Sequence, residues 1–118
     1  MRPEEQFSVT ARRGQERLIL ELQGELDMAS VDLLEEALAN ADLDATRAVV
    51  LDLRGVRFVD SSGLKAILEA RKAVRDGGRQ FAITEGSAQV QRVLSLTRLD
   101  EHLQTIETPE SALANQTG

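Results

Sequence analysis

The sequence predicts an α/β domain with one mixed β-sheet of about five strands, in the order ββαβαβαβα, and with the helices packed mainly on that sheet. Three observations lead to this fold class. Apolar and polar residues alternate near the N-terminus, continuous aliphatic runs follow later, and segments with helical spacing separate those runs. A length of 118 residues suits one domain with a single core. We therefore expect one domain over residues 1–118, with a core of about 7–114 and with frayed termini at 1–5 and 115–118.

The first two elements form a predicted β-hairpin. Residues 7–11 alternate between apolar and polar side chains, as in a half-buried strand. Arg13-Gly14-Gln15 predicts a turn, and the apolar run Leu18–Leu22 predicts a second strand that ends at Gly24. Because the link between the two strands is short, an antiparallel hairpin is the simplest connection.

A helix and a central strand follow the hairpin. Apolar residues recur at helical spacing from Val31 to Ala41, and Ser30 stands at the N-cap position. The continuous run from Ala48 to Leu51 is typical of a strand that is covered on both faces, and therefore of a central, parallel strand. A helix between two such strands indicates a βαβ unit with a right-handed crossover.

A second amphipathic helix is predicted after residues 60–63. The segment Val56–Val59 leads into it, and Gly77-Gly78 ends it, as glycine commonly does after the last helical turn. Phe81–Thr84 predicts the fourth strand.

The C-terminal third predicts a helix, a strand and a last helix. Ser87 is a natural N-cap for a helix whose inner face contains Val90 and Leu94, and Leu103–Ile106 predicts a short fifth strand. Thr108-Pro109-Glu110 supplies a cap, a proline at the first helical position and an acid in the first turn. We therefore expect a final helix over Pro109–Ala114.

Composition excludes several classes of partner. The net charge of −6 and the isoelectric point of about 4.8 disfavour direct binding to nucleic acid or to an anionic membrane surface. No apolar run approaches the ~20 residues of a membrane span, and residues 1–5 lack the apolar stretch of a signal peptide. A cytoplasmic location is therefore expected.

Composition also argues against metal and cofactor chemistry. The chain has no cysteine and one histidine, His102, so that thiolate catalysis and cysteine-ligated zinc are excluded. The sequence contains neither a P-loop nor a G-x-G-x-x-G motif, and no G-x-S-x-G motif surrounds a serine. We expect no catalytic residues, no metal, no cofactor and no enzymatic activity.

Asp60-Ser61-Ser62-Gly63 is the motif that carries the chemistry. It forms a strand-to-helix turn, where the first helical N–H groups lack partners within the helix and can hold a hydroxyl or an anion. We assign Ser62 to the N-cap and Ser61 to solvent, and we expect Gly63, which has no Cβ, to admit another molecule. The alternative interpretation is that these residue types simply begin a helix, as they often do.

The motif and its surroundings resemble a known family. Val59–Leu64, preceded by the strand Val49–Leu53, is similar to the signature of the STAS domain of bacterial anti-sigma factor antagonists. Gly24-Glu25-Leu26-Asp27 resembles the family's second recurrent patch, and the resemblance extends from about Phe7 to Ala114. It implies a single STAS domain.

The resemblance also implies a function and a modification site. In that family, the serine directly after the aspartate is phosphorylated by the partner anti-sigma factor, a serine kinase of the GHKL type. That serine is Ser61 here, with Ser62 as the second choice. The unphosphorylated protein then binds the anti-sigma factor, phosphorylation releases it, and a serine phosphatase restores it. Asp27, Asp60 and Gly63 join the two serines as expected partner-binding residues, although both aspartates could instead be turn formers.

Two other functions remain open. The chain could be a non-switching STAS scaffold, or a subunit of a lipid-transport or stressosome-like assembly. A hydrolase that uses Ser61 is the other rival, and the absent G-x-S-x-G motif disfavours it.

Overall fold

The computed structural model describes residues 7–113, which form one five-stranded sheet with the strand order β1-β2-β3-β4-β5. The first pair is antiparallel and the other three pairs are parallel, so that the predicted mixed α/β sheet is confirmed. The strands are β1 (Ser8–Gly14), β2 (Arg17–Leu26), β3 (Ala48–Val59), β4 (Gln80–Thr84) and β5 (Thr105–Ile106). The helices are α1 (Val31–Ala39), α2 (Ser61–Asp76) and α3 (Ala88–Leu96), followed by a short 3₁₀ turn at Leu99–Glu101.

The predicted hairpin is confirmed, but its turn lies later than expected. Gly14 still pairs with Arg17, so the turn consists of Gln15 and Glu16, with φ angles of 54° and 62°. Two consecutive residues with positive φ are the signature of the tight hairpin turn whose twist matches that of the flanking strands.

Strands β2 and β3 are both longer than the apolar runs that predicted them. β2 continues past Gly24 to Leu26, because Gly24 adopts a φ of 106° beside a register shift in the pairing with β3. A β-bulge with a glycine in this conformation bends a strand without ending it. β3 runs unbroken from Ala48 to Val59, and thus joins two segments that the sequence presented separately.

All three helices pack on one face of the sheet. The main core joins strand residues such as Leu20 and Leu51 to helix residues such as Leu34 and Ile67. Successive residues of a strand point to opposite faces. The alternate apolar residues therefore form a second, smaller cluster, without a helix, at Ile19, Val50, Ala82 and Ile106. No helix within residues 7–113 is long and apolar enough to cross a bilayer.

The C-terminal segment lies against the second face of the sheet. Leu113 packs against the smaller apolar cluster. Arg17 Nη1 donates hydrogen bonds to the carbonyl oxygens of Pro109, at 2.6 Å, and Ser111, at 2.8 Å. Arg12 forms an ion pair of 2.6 Å with Glu110. The segment thus covers part of the face that the helices leave open.

The predicted helix over Pro109–Ala114 is wrong for the described part of that range. Residues 109–110 form a turn, in which the backbone N–H of Ser111 donates to the Thr108 carbonyl at 3.0 Å, and residues 111–113 are irregular. The Pro109 and Ser111 carbonyls accept hydrogen bonds from Arg17 of β2, which holds this segment against the sheet. Ala114 and the predicted frayed ends lie outside the described residues.

The helix boundaries agree with most of the predicted signals. Ser87 Oγ accepts from the Val90 N–H at 3.3 Å, so the predicted cap of α3 is confirmed. Ser30 occupies the N-cap position of α1, but its hydroxyl does not cap the helix. It accepts from the Asp27 N–H at 2.9 Å and donates to the Glu25 carbonyl at 2.7 Å. Ser30 therefore closes the turn before α1.

Candidate functional site

The predicted site residues meet where β2 and β3 end side by side. Leu26 and Val59, the last residues of these parallel strands, are register partners. The Asp60 N–H donates to the Leu26 carbonyl at 3.3 Å, which extends the pairing by one step. Asp27 and Asp60 therefore leave neighbouring strands at the same edge of the sheet, and Ser61 begins α2 there.

The N-cap of α2 is Asp60. Its backbone is extended, with φ −106° and ψ −172°, and its Oδ1 accepts from the Gly63 N–H at 2.9 Å. The prediction that Ser62 is the cap is therefore wrong. The helix already begins at Ser61, so only the side chain of the preceding residue is placed to reach an N–H of the first turn.

The two serines are the first two residues of α2. Ser61 is exposed and Ser62 is half-buried, and neither hydroxyl is hydrogen-bonded within the described part of the chain. The expectation that Ser61 faces solvent is confirmed. A free hydroxyl at this position is accessible to another molecule, and the positive end of the helix dipole would stabilise an anion attached to it.

Gly63 is needed for packing inside the molecule. It is buried, and a Cβ at this position would lie 2.3 Å from the Leu26 carbonyl oxygen and 2.6 Å from Val59 Cγ2. The missing Cβ therefore lets α2 start close to the end of β2. Our reason for expecting a partner to enter this space was wrong, because Leu26 and Val59 occupy it.

Asp27 shapes the turn between β2 and α1. Its Oδ1 accepts from the Ala29 N–H at 3.0 Å and from the Ser30 hydroxyl at 3.2 Å. Asp27 is thus a turn former, which is one of the two roles that the sequence allowed for it. Its role toward a partner stays a prediction.

Two exposed apolar side chains belong to the segments that end β2 and β3 beside the predicted site, and they were missed at the sequence level. Met28, directly after Asp27, is 76% exposed, and Phe58, directly before Val59, is 39% exposed. The sequence signal was weak, since Phe58 lies in an apolar segment that suggests burial. Glu25 is the register partner of Phe58. We define the Ser61 surface as the set Glu25, Asp27, Met28, Phe58, Asp60 and Ser61.

Almost all of the described region matches the model of one protein family. Residues 8–112 match the model of the STAS domain. The chain belongs to the STAS domain family. The resemblance seen in the sequence is thereby confirmed, and the fold positions Ser61 at the start of the helix that follows the central strand of this STAS domain.

Two relatives of this chain are both named as anti-sigma factor antagonists. The chain is 29% identical over 100 residues to the anti-sigma-F factor antagonist RsfB of Mycobacterium tuberculosis. The aligned region covers 85% of this chain and 81% of that protein. It is 31% identical over 87 residues to the anti-sigma-B factor antagonist of Staphylococcus aureus, covering 74% and 81% respectively. The crystal structure of an anti-sigma factor antagonist from Mycobacterium paratuberculosis has the same fold, with a TM-score of 0.79, 23% identity and 92% of each chain covered.

Proposed function

We propose that this STAS protein is a cytoplasmic anti-sigma factor antagonist whose binding is switched by phosphorylation of Ser61. The unphosphorylated form binds the anti-sigma factor, a GHKL-type serine kinase. Phosphorylation by that kinase releases the antagonist, and a serine phosphatase restores it. The observation that carries this proposal is the exposed Ser61 hydroxyl at the first position of α2, which has no hydrogen bond within residues 7–113. The names of the two relatives support the class of partner.

The modification is a phosphoryl transfer from ATP to the hydroxyl. The Ser61 oxygen forms a bond to the γ-phosphorus, the bond from that phosphorus to the ADP oxygen breaks, and the hydroxyl proton leaves. Asp60 Oδ1 is engaged by the Gly63 N–H. Its role in this proposal is to hold the first turn of α2, and the kinase supplies the base and the metal-bound nucleotide.

Release of the phosphorylated antagonist follows from the negative charge that the phosphate adds to a surface covered by the partner. Phosphate adds about −1.5 to −2 charges at neutral pH. In the free protein, the N-terminus of α2 compensates part of that charge, and water solvates the rest. In the complex, the partner would cover Ser61 together with Asp60, and a buried charge without a partner is costly. Binding is therefore lost without a large change in the fold.

Met28 and Phe58 supply the apolar part of the proposed contact. Exposed apolar side chains that cluster beside a functional group mark surfaces for protein partners, and a few such anchors usually dominate the binding energy. The acids Glu25, Asp27 and Asp60 belong to the same two chain segments, and Glu25 is the register partner of Phe58. We infer a partner surface with an apolar pocket and a basic rim.

The decisive experiment compares two neighbouring serines. The wild-type chain, Ser61→Ala and Ser62→Ala are each incubated with a candidate anti-sigma kinase and ATP, and the phosphate is located by mass spectrometry. We expect one phosphate on the wild type and on Ser62→Ala, and none on Ser61→Ala. A phosphate that persists on Ser61→Ala moves the site to Ser62. Undiminished affinity of the phosphorylated chain for the partner would instead favour the non-switching scaffold.

A further inference from the structure

An apolar groove lies between α1 and α2, away from the Ser61 surface. Its volume is about 320 Å³. The α2 side is lined by the small residues Ala66, Ala70 and Ala73, which leave space opposite Leu34 and Leu38 of α1. A groove of this size and character suits an apolar side chain or a small apolar ligand.

Two carboxylates border this groove. Glu35 belongs to α1 and Glu69 to α2, and both are exposed lining residues. Neither forms an ion pair within residues 7–113. The groove therefore favours an occupant that places an apolar group between positive charges.

At the end of α3, the same chain carries an exposed leucine with one arginine before it and another after it in the sequence. The exposed acids Asp100 and Glu101 follow on the 3₁₀ turn. Leu96, the last residue of α3, is 72% exposed and does not line the groove of its own chain. Arg92 precedes it by four residues and therefore lies on the same side of the helix. Arg98 follows the helix with a φ of 62°. Both arginines are exposed and lack an ion pair within the described range.

We propose that a second copy of this chain inserts Leu96 into the groove between α1 and α2. Arg92 and Arg98 of the inserted copy then face Glu35 and Glu69. The complementarity in polarity and in sign of charge is the reason to choose a second copy as the occupant. The contact joins two different surfaces of the chain, so it is heterologous and leaves a free groove and a free Leu96 at the two ends.

This association is weak. One leucine and its two flanking cations bury much less than the ~1,200 Å² of a stable interface, and the net charge of −6 makes copies of the chain repel one another. It should therefore appear only at high protein concentration, and at a salt concentration that screens the long-range repulsion between copies but preserves the attraction between neighbouring charges.

The first test follows concentration-dependent association of the full chain. Amide chemical shifts and sedimentation are measured up to millimolar concentration at about 0.15 M salt, where charges more than ~8 Å apart are largely screened. We expect the signals of Ala66, Ala70 and Leu96 to move together, and we expect Leu96→Ser to abolish these changes. Leu33→Ser is the matched control, because Leu33 is a 46% exposed leucine of α1 that does not line the groove, and it should associate as the wild type does. A wild-type chain that stays monomeric throughout overturns the proposal.

The second test uses the heterologous geometry. Leu96→Ser keeps an intact groove, whereas Glu69→Arg keeps an intact Leu96, so neither variant should associate with itself. Isotope-labelled Leu96→Ser mixed with unlabelled Glu69→Arg should recover the shifts of Ala66 and Ala70. Circular dichroism establishes that both variants are folded. If the mixture shows no change while the wild type associates, another surface joins the copies and the proposed contact is wrong.

Discussion

Three of the four residues from Asp60 to Gly63 have a distinct task at the start of α2. Asp60 caps the helix, Ser61 presents a hydroxyl that is unbonded within residues 7–113, and Gly63 allows the close approach to Leu26. From the sequence alone, any of these polar residues could have been the cap. In the structure, one residue caps the helix, one presents an exposed hydroxyl and one is needed for packing. Ser62 is half-buried, and its hydroxyl forms no hydrogen bond within residues 7–113.

Removing the cap should destabilise the fold, while removing the neighbouring hydroxyl should not. We expect Asp60→Ala to lower the free energy of unfolding by about 0.5–2 kcal/mol, because the Gly63 N–H loses its acceptor. Ser62→Ala is the matched control and should stay close to wild type. Urea unfolding of both variants measures the difference, and equal losses would contradict Asp60 as the cap.

Adding one methyl group at Gly63 should be costly. The new Cβ would meet the Leu26 carbonyl oxygen at 2.3 Å, so α2 must shift away from β2. We expect Gly63→Ala to destabilise the protein by about 1–3 kcal/mol, the usual range for overpacking. Gly14→Ala is a suitable control, since no atom lies within 4 Å of a Cβ there. Thermal unfolding compares the two, and a neutral Gly63→Ala would mean that the helix start is loosely packed.

At the scale of elements, the ends of β2 and β3 build the Ser61 surface. The bulge at Gly24 lets β2 reach Leu26, where it pairs with Val59 at the end of β3. The turn after β2 then exposes Met28, and the last part of β3 exposes Phe58. Two segments that are far apart in the chain thereby contribute to one surface.

Truncation of the two apolar side chains should weaken the proposed partner complex. We expect Met28→Ala and Phe58→Ala each to reduce affinity for the anti-sigma factor by more than about 1 kcal/mol, as anchors of an interface do. The melting temperature of Met28→Ala should change little, because Met28 is 76% exposed in the free protein. That of Phe58→Ala should fall, because Phe58 is only 39% exposed and loses packing, so its affinity is measured below its own melting temperature. Leu33→Ala serves as the control at an exposed apolar site on α1. Calorimetric titration measures all three, and equal affinities would place the interface elsewhere.

At the scale of the whole molecule, the helix-free side of the sheet contains a nearly buried carboxylate. Asp52 is 5% exposed. Arg54 donates to both of its oxygens, each at 2.9 Å, and the Thr84 hydroxyl donates at 3.0 Å. Burial alone would raise the pKa of Asp52, but the hydrogen bonds from Arg54 and Thr84 outweigh it and lower the pKa below the ordinary value of 3.8.

Stability should therefore fall in acid for a reason that involves Asp52. Because its pKa is lower in the folded state, the ionised carboxylate stabilises the fold above the ordinary value of 3.8, and this contribution is lost as the pH falls through the lower folded pKa. Asp52→Asn should be less stable than wild type at neutral pH and should show a shallower loss in acid. Asp76→Asn, at an exposed carboxylate of α2, is the control. Urea unfolding across this pH range provides the measurement, and parallel curves for wild type and Asp52→Asn would contradict the role of Asp52.

Local signals in the sequence determined the order of most elements. Helical spacing and nearby caps predicted α2 and α3, and the continuous run from Ala48 to Leu51 predicted a central parallel strand. The exposure of Ser61 was also predictable, because the apolar residues of α2 that face the core begin later, at Leu64. These features depend on interactions between residues a few positions apart, so a short stretch of sequence contains the information.

Contacts between distant segments decided the rest. The choice of Asp60 as cap depends on where α2 begins, and the role of Gly63 depends on the Leu26 carbonyl. The C-terminal segment carries good helix-start signals, yet Arg17 binds the Pro109 carbonyl from 92 positions away and holds the chain in a turn. Propensity differences are small beside the hydrogen bonds and packing that a long-range partner supplies. Where such a partner lies is set by the sheet order and register, which only the tertiary structure contains.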